Sequence, residues 1–263
     1  MEKNKSMNGL YLPVFIIFAW WALSSLGLTN EYIMPSPEKV VKTSSNLISS
    51  GMLQKHLLVS LARVLVGFVV AFAAAFPLAV FCGLSSKFEE FFKPTLEFIR
   101  HVPPMALIPM LILWFGIGEV SKLSIIFLAT FFPIYLNTLS GIREADVKLI
   151  QVGEVFGFSR SKIFFWIILP QAIPSILVGM QIGLGYSWRA LIGAELIAAS
   201  SGIGYMIIDA EQLSRPDIII IGIMAIGIAG YAIDALFMEA TRRITRWSGG
   251  EQHHGESDDK KCS

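Results

Sequence analysis

Apolar residues come in runs of membrane length along this chain, separated by short polar and charged stretches. A spanning helix needs about 20 consecutive apolar residues. Six segments approach that length: 10–28, 64–84, a proline-rich 102–118, 123–142, a fifth beginning near Gln171, and 218–238. The pattern predicts an all-α polytopic membrane bundle of about six transmembrane helices. The first run comes after a short charged start and lacks a small-residue cleavage site, so it reads as a retained helix rather than a signal peptide. The fifth begins just after Pro170, with Pro174 in the first turn, where proline is tolerated. It runs to about Ala199, where Ser200, Ser201, Gly202 and Gly204 break it, leaving an irregular outer segment.

Between the first two spans, residues 30–56 are polar. Within them Pro35-Ser36-Pro37-Glu38 predicts a short surface helix with Ser36 as its cap and Pro37 in its first turn. The organisation expected is an N-terminal segment 1–9, a membrane domain 10–247 containing a loop at 143–166, and a charged, disordered tail 248–263.

Composition agrees with this class: 54% of residues are hydrophobic, only 16% are charged, and mean hydropathy is +0.63. Soluble domains carry about a quarter charged residues. A net charge of +1 lacks the basic surface of a nucleic-acid binder. Two cysteines, Cys82 and Cys262, give neither a disulfide framework nor a zinc spacing. His253 and His254 in the tail read as solvated side chains rather than metal ligands. Six spans put both termini on one side, and that side collects thirteen Lys and Arg residues, against five (Lys39, Lys42, Lys55, Lys122 and Arg215) on the other. The positive-inside tendency therefore predicts cytoplasmic termini.

Gly67, Ala71, Ala75, Ala79 and Gly83 recur every four residues and form one small-residue ridge on the second span. Such ridges let another helix approach closely; Gly179 and Gly183 are a second, shorter pair. Ionisable groups inside spans face the bundle interior or water. Arg189 and Glu195 are six residues apart and point in different directions, so each either lines a translocation path or pairs with another helix. Asn137 offers a pore-lining amide or an interhelical hydrogen bond, and Asp234 lies near a span end. Pro103, Pro104 and Pro109 bend the third span, as a pore-lining element or as a packing helix.

The loop 143–166 mixes charged and apolar residues. Residues 151–158 can form a short helix, Gly157 supplies a turn, and Ser159 can cap a further helical turn beyond it. Exposed apolar residues on such a helix suit a groove on a partner protein. The residues alone leave this reading level with that of a plain basic loop.

The chain has no G-x-x-x-x-G-K-[ST] phosphate loop, no HExxH and no GxSxG, and His56 and His101 are isolated. ATP hydrolysis and the familiar hydrolase sites are thus not encoded here. A secondary transporter using Arg189, Glu195 and Asp234 is the alternative, although no inverted repeat is evident.

Gly157, nine residues, Ile167, one residue and Leu169-Pro170 resemble the EAA loop of binding-protein-dependent ABC importer permeases. Gln151-Val152-Gly153 stands where that pattern has Glu-Ala-Ala. Met34-Pro35-Ser36-Pro37, Arg100-His101-Val102-Pro103-Pro104, Leu113-Trp114-Phe115-Gly116-Ile117 and Phe132-Pro133-Ile134-Tyr135 are similar to the nitrate, taurine and aliphatic sulfonate branch. The resemblance implies a type I ABC importer permease fold in the plasma (inner) membrane of a prokaryote. It implies an assembly of two copies of this chain, two ATPase subunits holding ATP and Mg, and an external solute-binding protein, with no cofactor in this chain. The cargo implied is a small anion such as a sulfonate, taurine or nitrate. It also implies an ATPase-coupling loop containing Gln151, Val152, Gly153, Val155, Phe156, Gly157, Ser159, Ile167, Leu169 and Pro170, with Asn137, Arg189 and Glu195 as candidates for the translocation path.

Overall fold

The computed structural model describes residues 11–245, except Thr29 and the side chain of Pro13. Segment 1–9, Leu10 and the tail 248–263 with its two histidines and Cys262 lie outside the described residues. All regular structure among the described residues is helical: α1 Tyr11–Ser25, α2 Pro37–Ser49, α3 Met52–Leu84, α4 Ser86–Arg100, a 3-10 turn Pro104–Leu107, α5 Ile108–Phe115, α6 Glu119–Arg143, α7 Val147–Val155, α8 Arg160–Ile163, a π turn Phe164–Ile168, α9 Leu169–Ala198, α10 Ile203–Gln212 and α11 Pro216–Ile244. Four segments are long and apolar enough to cross a membrane: α3, α6, α11 and the run Arg160–Gln212 that contains α9. A fifth is counted when α4 and the 3-10 turn with α5, bent by 81° to each other, are taken as one span, and α1 is a shorter apolar helix.

The chain divides into two compact units, residues 11–62 with 192–228, and residues 63–191 with 229–245. In the first unit, Ser36 caps α2 by accepting from the Lys39 N–H, with Pro37 opening the helix as the sequence predicts. The Trp20 indole donates to the Pro35 carbonyl, and the Trp21 indole donates to the Glu38 carboxylate. The Glu38 backbone N–H, then the Ser36 hydroxyl and the Trp21 indole, hold this exposed carboxyl below its ordinary pKa. Val40 and Leu47 of α2 pack with Ile221 of α11. Asp217 accepts from Thr43 and Arg215, and the hydrogen bond to Asp217 raises the pKa of the Arg215 guanidinium.

In the second unit, α6 is the enclosed central helix, with Ile126, Thr130, Ile134 and Thr138 fully buried. The predicted ridge on α3 packs against it. A Cβ on Gly67 would lie 2.5 Å from Ile126, and one on Gly83 would lie 2.7 Å from Ile142, while Ala71, Ala75 and Ala79 are fully buried. Small side chains therefore set the approach of these helices. At the other end of the same seam, Arg63 donates from Nε and Nη2 to both oxygens of Glu119, which also accepts from Lys122 at 3.0 Å. Arg63 meets Glu119, Gly67 meets Ile126 and Gly83 meets Ile142, so residue numbers rise together and α3 and α6 run parallel. α9 packs on α6 as well: Gly141 adjoins Ala172 and Ser175, Gly179 adjoins Pro133 and Asn137, and Gly183 adjoins Thr130 and Ile134. Here the numbers run in opposite senses, so these two helices are antiparallel.

Four expectations change. The second span starts at Met52, twelve residues earlier than predicted, because apolar residues already recur through Leu53, Leu57, Leu58 and Leu61. The helix of the fifth span starts at Arg160 rather than near Gln171. Its irregularity is a π turn in which the Leu169 N–H reaches the Phe164 carbonyl, next to Pro170, which has no N–H to give to Trp166. Residues 203–212 form a helix in place of the irregular segment expected there. The third span has only eight α-helical residues, in α5, and α4 before it is a helix that the sequence pattern does not announce.

Candidate coupling loop and membrane cavity

The loop 143–166 is built around α7. Asp146 caps it by accepting from the Lys148 N–H, so the helix starts four residues before the predicted 151 and ends at Val155. Gly157 ends it at φ +71°, the left-handed geometry that favours glycine. The Phe158 N–H reaches the Gly153 carbonyl at 3.0 Å and the Gly157 N–H reaches Glu154 at 2.9 Å, the paired bonds of a Schellman ending. Ser159 then caps α8 by accepting from the Lys162 N–H.

This double cap fixes which residues face outward. Gly153 is buried, and Ile167 packs where its side chain would be, with the Ile167 Cδ1 2.7 Å from an added Cβ. The glycine at the third position of Gln151-Val152-Gly153 thus seats Ile167. Ile163, Ile168 and Ala172 form the core under the loop with Ile142 and Ala145, and Leu169 and Phe158 pack against it. Pro170 is half-buried at the head of α9. The Gln171 amide ties the start of the loop to α9, accepting from the Asp146 N–H and donating to the Ile167 carbonyl. Gln151, Val152 and Ser159 are exposed, while Val155 and Phe156 are 87% and 73% exposed. A short helix thus presents an apolar tip, held from behind by its own core.

A cavity of about 650 Å³ lies in the same unit, between the α4–α5 bend, α6 and α9. Its wall is mainly apolar, with Val102, Leu107, Leu128, Phe132 and Ile182 among the side chains. Arg100, His101, Tyr186 and Arg189 supply its ionisable groups, and no carboxylate lines it. The Arg189 guanidinium stands 5.9 Å from the Tyr186 ring centre. Arg189 also borders a second cavity of about 460 Å³, where Gln181 donates to Asp234 at 2.8 Å.

The other two path candidates stand elsewhere. Asn137 is half-buried at the α6–α9 seam and donates to the Pro133 carbonyl at 2.8 Å. Glu195 belongs to the first unit, where it is 1% exposed. It accepts from the Ser60 hydroxyl and the Gly204 N–H, while Ser60 Oγ accepts from the Ile203 N–H and His56 from the Gly202 N–H. These groups hold the turn at 199–202, which the sequence marks only as a break. Arg100 and His101, at the mouth of the large cavity, escape a reading of the sequence because nothing in it links them to Arg189. Among the described residues no group of His, Cys, Asp and Glu could hold a metal ion.

Parallel and antiparallel apolar helices around one buried span, with a capped helical loop beside them, define a helical bundle of membrane-spanning length. Residues 75–246 match the family described as binding-protein-dependent transport system inner membrane component, and the chain belongs to that family. It is an ABC importer permease, a multi-pass membrane protein, and not an enzyme. It is 39% identical over 92% of its length to the putative aliphatic sulfonates transport permease protein SsuC of Bacillus subtilis, covering 87% of that protein. It is 33% identical to the taurine transport system permease protein TauC of Escherichia coli, over 90% of this chain and 88% of that protein. It is 32% identical to the nitrate import permease protein NrtB of Synechocystis sp., over 89% of this chain and 90% of that protein. The fold is shared with a chain of the MetNI methionine ABC transporter in an inward facing conformation, at a TM-score of 0.56 and 16% identity, over 72% of this chain and 92% of that one.

Proposed function

We propose that this permease passes a small organic anion through the membrane, and that loop 143–166 is its contact with the ATPase subunits. The complete transporter then holds two copies of this chain, two ATPase subunits that bind ATP and Mg, and an external solute-binding protein, with both termini of this chain in the cytoplasm. The observation that carries the cargo class is the large cavity, whose charged lining residues, Arg100 and Arg189, are both cationic while most of its wall is apolar. A guanidinium recognises a sulfonate or carboxylate head through paired N–H donors, and an apolar wall favours a short aliphatic tail. The names of the sulfonate and taurine relatives agree with such a cargo. ATP binding drives the cycle if it favours one of the two openings of the permease pair.

The test is uptake of butane-1-sulfonate by the complete transporter in vesicles. Arg189→Ala is expected to lower uptake at least tenfold while the ATPase still co-purifies, with Arg189→Lys intermediate. Unchanged uptake by Arg189→Ala removes Arg189 from the path, and failure of that variant to assemble assigns the residue to structure.

A further inference from the structure

We propose that α4 lies flat in the bilayer surface at the end of the molecule where loop 143–166 emerges, and that the third crossing is made by the following segment alone. The parallel packing of α3 and α6 sets the problem. Both are membrane spans that run in the same direction, so the chain between Leu84 and Glu119 crosses the bilayer once. Two arrangements satisfy this: α4 is half of a bent span, or α4 stays at the surface and residues 102–118 cross by themselves.

Length permits the second arrangement. The 3-10 turn and α5 rise about 20 Å together, and Gly116–Gly118 turn the chain into α6, with bends at Ile117 and Gly118. That rise covers about two thirds of the roughly 30 Å hydrocarbon core, so residues 101–103 and 116–118 stand at its two boundaries.

Charge and geometry favour it. α4 carries six charged residues among its fifteen: Lys87, Glu89, Glu90, Lys93, Glu97 and Arg100. They are balanced in sign and gather on one side of the helix. Hydrocarbon disfavours such a set, whereas a surface helix turns it to water. At 100° per residue, Phe88, Phe91 and Phe98 share one edge, and Phe91 and Phe98 are each 76% exposed. Phe92, Leu96 and Ile99 occupy the adjoining strip and are half-buried. The helix thus has a charged face that borders a cavity against α6 at Glu89, Lys93, Glu97 and Arg100, a protein face and a bare aromatic edge, and the occupant that fits the edge is lipid at the headgroup boundary. α4 starts two residues after α3 ends, which puts its head at the membrane surface. The 81° bend lays it nearly in the plane when the next segment runs across. Glu89 pairs with Arg143, the last residue of α6, so the surface helix fixes the level at which the loop leaves the membrane.

Nitroxide labels at Phe91→Cys, Phe98→Cys and Glu90→Cys test this, each in the full chain with Cys82→Ala and Cys262→Ser, reconstituted in phosphatidylcholine vesicles. Collision with oxygen against a water-soluble nickel chelate gives depth. The expected result is one shallow depth for labels 91 and 98, within about 3 Å, with label 90 in water. A helix crossing the bilayer separates labels 91 and 98 by about 10 Å, and that separation overturns the proposal. Water exposure at both overturns it as well. Phe88→Cys is a third site on the same edge should either label disturb folding. Adding 30% phosphatidylglycerol is expected to leave the depths unchanged, because the helix has no net charge; a shift of both labels on that addition overturns the apolar basis of the anchor.

Discussion

Gly179 of α9 backs directly onto Asn137 of α6: an added Cβ would lie 2.6 Å from the Asn137 Cβ and 2.8 Å from the Pro133 carbonyl oxygen. Neither atom can move far, since one sits on the backbone and the other is the root of a side chain bonded to that same carbonyl. Gly179→Val is therefore expected to push α9 off α6, with a cost of about 1–3 kcal/mol or more from overpacking. Gly185 of the same helix has no atom within 4 Å of its would-be Cβ. Gly185→Val is the matched control, and only its small change in helix propensity should register. Retention of the monodisperse peak after heating, compared between the two variants, checks the difference. Equal midpoints would show that the seam yields.

Glu195 makes a second, separable prediction. Its carboxylate accepts from Ser60 and from the Gly204 N–H, and Ser60 in turn accepts from the Ile203 N–H. Removing an acceptor leaves a buried donor unpaired, at about 1–3 kcal/mol. Glu195→Ala is expected to lower thermal stability by at least that much, and Ser60→Ala to do so in part. The effects should be less than additive, because the two residues share one network. A Glu195→Ala protein of normal stability that has lost only uptake would return the residue to the translocation path.

How legible these features are in the sequence depends on their range. The α3 ridge is visible because its period is local, and the small residues alone announce a close neighbour. Ser36 and Gly157 are readable for the same reason, since a cap and a left-handed stop act within four residues. α4 is hidden although Phe88, Phe91, Phe92, Leu96 and Ile99 have helical spacing, because Pro94 and six charges give the stretch the look of a loop. The pairing of Ser60 with Glu195 spans 135 residues of sequence, and no local pattern encodes it. The grouping of Arg100 and His101 with Arg189 is likewise a product of the α4–α5 bend.

The double cap of α7 supplies the last prediction. Gly157 holds φ at +71° with open space around it, so a substitution there fails for conformational rather than steric reasons. Valine, branched at Cβ, is poorly suited to that region. Asparagine enters it far more readily. Gly157→Val is expected to undo the paired bonds from Gly157 and Phe158, letting the exposed Val152, Val155 and Phe156 lose their common direction. The membrane bundle should survive, because the core beneath the loop rests on Ile142, Ile163, Ile168 and Ala172. The valine variant should then retain little ATPase on co-purification or hydrolyse ATP without uptake, and Gly157→Asn should recover most of both. Val155→Asp, which leaves the turn intact but charges the most exposed apolar residue of the helix, should weaken ATPase retention by itself. Normal ATPase binding and normal coupling in both Gly157→Val and Val155→Asp would mean that the ATPase is held elsewhere.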